Sequence, residues 1–298
     1  MKTPLPIPDH IAQAAAFLTT QEQEQLWHAA ILMADSRGVL LRIAGLFGRR
    51  IDALRTSLTQ TGERLGGPTW TSLVQRAQDV IEDTLWSSYD YAIFGLGFTR
   101  PKPPRNNRLH RLATVASGAA SGFAGFPGVV FDIPFTTMTI LRSIAEVARD
   151  SGEDFCSEET RRACLEVLAF GGPGGADDEA EIGYWATRLG ANHLTINLLI
   201  KSAASRFGIV LSDKLLLQAV PVAGAVTGGL LNYAFTEHYQ NMAQVHFCLR
   251  ALERRTGAPQ AVQDCFGQMV QAARDRRRVS RWPQKPVPAK YLPREEAI

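Results

Sequence analysis

Apolar residues recur at helical spacing along most of this chain. Leu40, Ile43, Phe47, Ile51, Leu54 and Leu58 fall three or four apart, which predicts one apolar stripe along a long helix. Leu73, Ala77, Val80, Ile81, Thr84 and Leu85 repeat the pattern within 70–93 and predict the inner face of another. Start and stop signals punctuate the rest. Thr20 and Gln23 stand in capping-box spacing before a run of helix formers. A helix over 136–150 is stopped by Gly152, and one over 157–170 by the glycines of GGPGG. In ADDEAEIGYWATRLG the acids crowd the first turn, where the helix dipole favours them. Helices are also expected over 192–207 and after Ser212, and Pro259 fits the first turn of a last one ending near Arg278. No stretch alternates strictly enough in twos to propose a strand. The expected fold class is all-α.

Two long runs carry almost no charge. GAASGFAGFPGVVFDIPFTT (118–137) is broken by Pro127 and Pro134 and holds the lone Asp132, while LLLQAVPVAGAVTGGLLNYAFT fills the interval between Lys214 and Glu237. Laid over each other at an offset of one hundred residues, Gly128 meets Gly228, Asp132 meets Asn232, Phe135 meets Phe235 and Thr136 meets Thr236. This predicts two similar Gly/Ala-rich helical hairpins. Small residues recur every fourth position: Gly118 with Gly122, Gly125 with Ser121 and Ser117, Gly224 with Gly228, Ala225 with Gly229. Such faces let helix backbones touch, whether in lipid or in a tight soluble core. Both remain open for 112–131 and 215–235. Asp132 likewise has two readings. It can cap a helix beginning near Ile133, with Asn232 in the same role, or it can be the acid of a site shared with His238.

Composition narrows the field. With 298 residues, 45% apolar and 20% charged, the chain is an ordinary globular one with material for a full core. The net charge of +3 implies no polyanionic partner by itself, but its distribution is uneven. Arg37, Arg42, Arg49, Arg50 and Arg55 share one helix, TRPKPPRNNRLHR (99–111) is a proline-rich basic connector, and the tail after 278 is again basic and proline-rich. The expected organisation is a helical region 1–98, the connector 99–111, a helical body 112–278 and a basic tail 279–298. Four cysteines without a C-x-x-C pair, and an amino terminus without a long apolar core, suggest a reduced, cytoplasmic chain.

Enzyme signatures are sparse. No serine sits in G-x-S-x-G, there is no P-loop, and GGPGG is followed at once by Asp177, Asp178, Glu179 and Glu181, which would repel phosphate. His238 and His246 lie two turns apart beside Glu237, yet without H-E-x-x-H spacing no metal is expected, and no cofactor. Nucleic acid is not expected as a partner, because the aromatics are not interleaved with the bases.

Several longer segments resemble the EcsC protein family: GAASGFAGFPGVVFDIPFTTMTILRSIAEVARDSGED and CLEVLAFGG its first half, VPVAGAVTGGLLNYAFTEHYQNMAQVHFCLRALERRTG its second. The similarity spans roughly 75–257. It implies a bacterial, helical protein of a family named for a member encoded beside an ABC transporter, and it brings no catalytic set. The resulting expectation is an accessory factor on the cytoplasmic side, peripheral to the inner membrane, with an anionic membrane surface or lipid as partner and a membrane transporter as a further one. The alternative is a hydrolase with a site near Asp132 and His238.

Overall fold

Two of the helices open on proline, at Pro221 and Pro259, at the point where a missing N–H costs nothing. The computed structural model describes residues 7–35, 56, 60, 70–93, 107–124, 126–154, 157–171, 195–205 and 221–281. Among these run α1 (Asp9–Ala14), α2 (20–35), α3 (Trp70–Ile93), α4 (Asn107–Ala124), α5 (Phe126–Asp150), α6 (Glu158–Phe170), α7 (196–205), α8 (Pro221–Thr256) and α9 (Pro259–Arg281). No strand occurs among the described residues, and the fold is all-α. The expected helix through 37–58 falls outside the described residues apart from Thr56, as do the basic connector up to 106, GGPGG after Gly171, the helix placed after 176, the stretch from 206 to 220 and the tail from 282; the run expected after Ser212 is described from Pro221 on, and 279–281 belong to the last helix.

Two local expectations are corrected. The capping box lies one residue earlier than the spacing of Thr20 and Gln23 implied. Thr19 N–H donates to Glu22 Oε2 (2.9 Å), while Glu22 N–H reaches back to Thr19 Oγ1 (3.4 Å). Gln23 instead donates its amide to the carbonyls of Ala15 (3.0 Å) and Leu18 (3.1 Å), closing the turn between α1 and α2. The second correction concerns α5, which begins at Phe126 rather than 136 and runs through Pro134. Pro127 sits in its first turn, where no N–H partner is lost, and Pro134 forfeits a single ladder bond that packing replaces. Asp132 therefore stands at an interior position of a continuous helix and not at a helix start. Asn232 lies eleven residues inside α8, likewise away from a helix start.

Other signals hold. Ser157 accepts from Thr160 N–H (3.1 Å) and starts α6, and Ile81, Thr84 and Leu85 of α3 are buried. Gly152, at φ 81°, ends α5: its N–H bonds Arg149 O (2.9 Å) and Glu153 N–H bonds Ala148 O (3.1 Å). That turn aims Glu153 inward. Its buried carboxylate meets Arg250 Nε (3.2 Å) and Arg254 Nη2 (2.8 Å), tying the end of α5 to α8.

The long α8 is the axis, about 54 Å from end to end at 1.5 Å per residue. It packs against α4, α5, α6 and α9, while α3 covers α5 and α1 rests on α9. Tyr239, Phe247, Phe266, Ile140 and Leu26 are among the fully buried core side chains. The direction of each helix against α8 follows from its side-chain pairs. Arg111 meets Gln240, Thr114 meets Thr236, and Val115 meets Gly229, so α4 runs antiparallel to α8. Thr136 meets Asn232, and Glu153 just past α5 meets Arg250, so α5 runs parallel to α8.

Candidate functional site

The α4–α5–α8 junction carries the polar residues that a helical core has to account for. Asn232, fully buried, donates to the carbonyl of Thr114 (2.8 Å) and to Thr136 Oγ1 (3.3 Å), one contact to each neighbouring helix. Thr114 and Thr236 bring their hydroxyls to 2.9 Å, and each also lies within reach of a carbonyl on its own helix, His110 O (3.0 Å) and Asn232 O (2.8 Å), so one donates across the junction and the other to its own backbone. One turn further along, Arg111 Nε donates to Gln240 Oε1 (2.9 Å) and Nη1 to Glu237 (2.8 Å) and to Tyr233 Oη (3.2 Å). Its guanidinium also lies over the Tyr233 ring, 5.4 Å from the centroid. The helix spacing of 232, 236 and 240 puts all three on the face of α8 turned to α4.

Beside this hub, His110 Nε2 sits 2.8 Å from Glu146 Oε2, both residues buried. Burial alone would push the Glu146 carboxyl up. The His110 hydrogen bond and charge, with Arg142 and Arg149 nearby, outweigh it and hold the carboxyl below its usual value. Further along α8, His238 bonds the carbonyl of Gly171 (2.5 Å), and His246 faces Glu166 at 3.6 Å. The two histidines thus engage different partners. No three His, Cys, Asp or Glu side chains come together to hold a metal ion among the described residues.

Asp132 and His238 are not brought together. Asp132 lies four residues before Thr136 and His238 six after Asn232, on parallel helices whose pairing sets 136 beside 232. Ten residues of helix separate their levels by about 15 Å. Of the helix-packing glycines, Gly125 lies outside the described residues, and Gly118, Gly122, Gly224 and Gly228 are described only in backbone. The close crossing that is visible involves the next residue, Gly229, where a Cβ would stand 3.3 Å from Val115 O. Phe135 and Phe235, matched in the sequence overlay, differ in surroundings: the first is exposed and the second buried.

The junction also gathers the uncharged runs at one end of the bundle. Between Leu112 and Leu141 the only charged residue is Asp132, and 221–236 has none. Because α4 is antiparallel and α5 parallel to α8, the C-terminal part of α4 and the N-terminal parts of α5 and α8 lie together. Leu230 (58% exposed), Phe135 and Tyr233 face outward there, and Leu112 (65%) faces outward beside Arg111, where the uncharged run of α4 begins. The Arg111–Glu237–Tyr233 cluster marks where charge resumes. No helix among the described residues is long and apolar enough to cross a membrane.

His110, Arg111, Thr114, Glu146 and Gln240 were not singled out from the sequence. Their one legible signal was position: Arg111 is the last base before the uncharged run.

An all-helical body pinned by a buried amide–hydroxyl junction, with an uncharged end, is the class of protein that these features define. Residues 59–252 match the EcsC protein family, and the chain belongs to it. No curated protein and no solved structure matches it.

Proposed function

We propose that the protein is a non-catalytic accessory factor that docks on the cytoplasmic face of the inner membrane by its uncharged end and serves lipid handling or ABC-type transport there. The observation that carries this is the convergence of three helix segments whose only charged residue is Asp132, with outward Leu112, Leu230 and Phe135. From Leu112 to Ala124 is about 18 Å of helix, enough to enter one leaflet of a core roughly 30 Å thick without crossing it. Arg111 and Tyr233 then fall at headgroup level, where a base and an amphipathic ring are favourable. The bases that precede Arg111 in sequence, Arg100, Lys102, Arg105 and Arg108, fit anionic headgroups. The polar groups of the hub are engaged in holding helices together, which supports a binding role over catalysis.

Co-flotation with vesicles tests this. Binding to phosphatidylglycerol vesicles should exceed binding to phosphatidylcholine vesicles and weaken as salt shortens the screening length, about 10 Å at 0.1 M. Replacing both exposed leucines (Leu112→Glu with Leu230→Glu) should cut binding on the order of 100-fold or more, since a buried Leu contributes about 1.5–3 kcal/mol. Equal flotation of parent and double variant sinks the docking end, and resistance to carbonate washing replaces peripheral docking with integral insertion.

A further inference from the structure

Where charge resumes on α8, one ion pair leaves half of its hydrogen-bonding capacity open. Arg111 Nη1 donates to Glu237 Oε1 (2.8 Å) and to Tyr233 Oη (3.2 Å), and Nε donates to Gln240 Oε1 (2.9 Å). Arg111 Nη2 and Glu237 Oε2 make no hydrogen bond among the described residues. The pair thus meets end-on, not as the parallel fork that an arginine and a carboxylate can form. Both side chains keep access to water, at 19% and 29% exposure. Gln240 fixes the guanidinium plane: it is fully buried, and turning its amide over would set an NH2 group against Arg111 Nε. The exposed Tyr233 ring lies against the guanidinium.

These groups stand at a defined depth. Leu230, Tyr233 and Glu237 follow one another at spacings of three and four along one face of α8. Leu230 lies toward the uncharged end and precedes Glu237 by about 10 Å of helix. With Leu230 among acyl chains, the open N–H groups and the open oxygen fall among headgroups. Their chemistry selects. The site offers one cationic donor and one anionic acceptor, whose charges cancel. A phosphodiester alone would meet Nη2 but face the Glu237 carboxylate uncompensated. A phosphate followed within a few bonds by an ammonium answers both. A primary ammonium can also donate to Glu237 Oε2, whereas a quaternary one has no N–H and its methyl groups hold the charge away. We propose that Arg111, Glu237 and Tyr233 form a headgroup site for phosphatidylethanolamine, with the phosphate on Arg111 Nη2 and the ammonium on Glu237 Oε2. The inference rests on the membrane-docking reading and adds the lipid that is recognised: anionic lipid attracts the bases before Arg111, and ethanolamine lipid fits this site.

The test is co-flotation with vesicles of equal phosphatidylglycerol content, the remaining lipid being phosphatidylethanolamine, its monomethyl or dimethyl form, or phosphatidylcholine. The parent should bind the ethanolamine vesicles about fivefold more tightly than the choline ones, the upper end for one exposed ion pair. The preference should persist while the nitrogen keeps one N–H and vanish at the quaternary ammonium. A steady decline with each methyl group would trace binding to headgroup size and lipid packing and overturn the site. Glu237→Gln keeps an oxygen for Arg111 without the charge and should lose the preference; an undiminished preference in that variant also overturns the site. If the variant does not fold, the methylation series on the parent decides alone. Soluble glycerophosphoethanolamine at millimolar concentration should not displace the parent, because without a bilayer it forfeits the contacts of Leu230. Displacement would make the free headgroup the ligand and overturn the lipid assignment. Flotation without an ethanolamine preference sinks the headgroup site alone, and no flotation on any of these vesicles sinks the docking end with it.

Discussion

Asn232→Asp is the sharpest probe of the helix junction, because it keeps the shape of the side chain and removes its donor. The parent amide donates two hydrogen bonds, to Thr114 O at 2.8 Å and to Thr136 Oγ1 at 3.3 Å, from a fully buried position. A carboxylate there would point oxygen at the Thr114 carbonyl, and neither that carbonyl nor the Thr136 hydroxyl carries a positive charge. Burial raises a carboxyl by up to about 3–5 units. Taking about 3, at 1.36 kcal/mol per unit, ionisation costs the folded variant about 4 kcal/mol at neutral pH. That is a large part of a typical stability of about 5–15 kcal/mol. The sign follows from linkage. With the folded pKa above the unfolded one, the folded variant holds an extra proton between them, so its stability falls as pH rises through that window. Below the unfolded value of about 3.9 the acid is protonated in both states and can still donate one bond, leaving a deficit of about 1 kcal/mol. Thermal melts of parent and variant from pH 4.5 to 8 should show a gap in Tm that widens with pH to about 10 °C, at roughly 2–4 °C per kcal/mol. Asn232→Leu, which loses both bonds but cannot ionise, should give a smaller gap independent of pH. A gap for Asn232→Asp that is the same at both ends of the range would refute the junction as described.

Two further outcomes are expected of the same core. Glu146, held below the ordinary carboxyl value, contributes stability above its unfolded pKa and loses it as pH falls through the folded one. Glu146→Gln should therefore cost about 3 kcal/mol at pH 7 in urea denaturation, and the cost should shrink as pH falls into the acid range; a deficit that does not change with pH removes the ion pair from the account. Gly229→Leu should destabilise by about 1–3 kcal/mol or more, because its Cβ would stand 3.3 Å from a backbone oxygen that cannot move aside, whereas Gly267→Leu meets nothing within 4 Å and should melt like the parent. Matching melts for the two glycine variants would show that α4 and α8 can part at little cost.

The helical class of this protein, and several helix ends, were legible in the sequence because they rest on local rules. Ser157 starts α6, Pro259 opens α9 and Gly152 stops α5 where the chain alone says they should. Local rules misled where two options compete within a few residues. Thr19 rather than Thr20 takes the cap because its partner three residues on is Glu22, a carboxylate that bonds both the N–H and the hydroxyl of Thr19. Two prolines and an aspartate read as a bend and a cap, yet α5 runs through them, since losing one backbone bond costs less than the packing that a continuous helix secures against α4 and α8. The junction itself was invisible. His110 finds Glu146 36 positions away, and Arg111 finds Gln240 129 positions away. The sequence showed Asn232 only as the counterpart of Asp132, and the tertiary structure made it the link among three helices. Spacing along one helix determines which residues share a face. Only the crossing of α4 and α5 on α8 decides which faces meet, because that choice is set by side-chain packing over the whole bundle rather than by any neighbour in the chain.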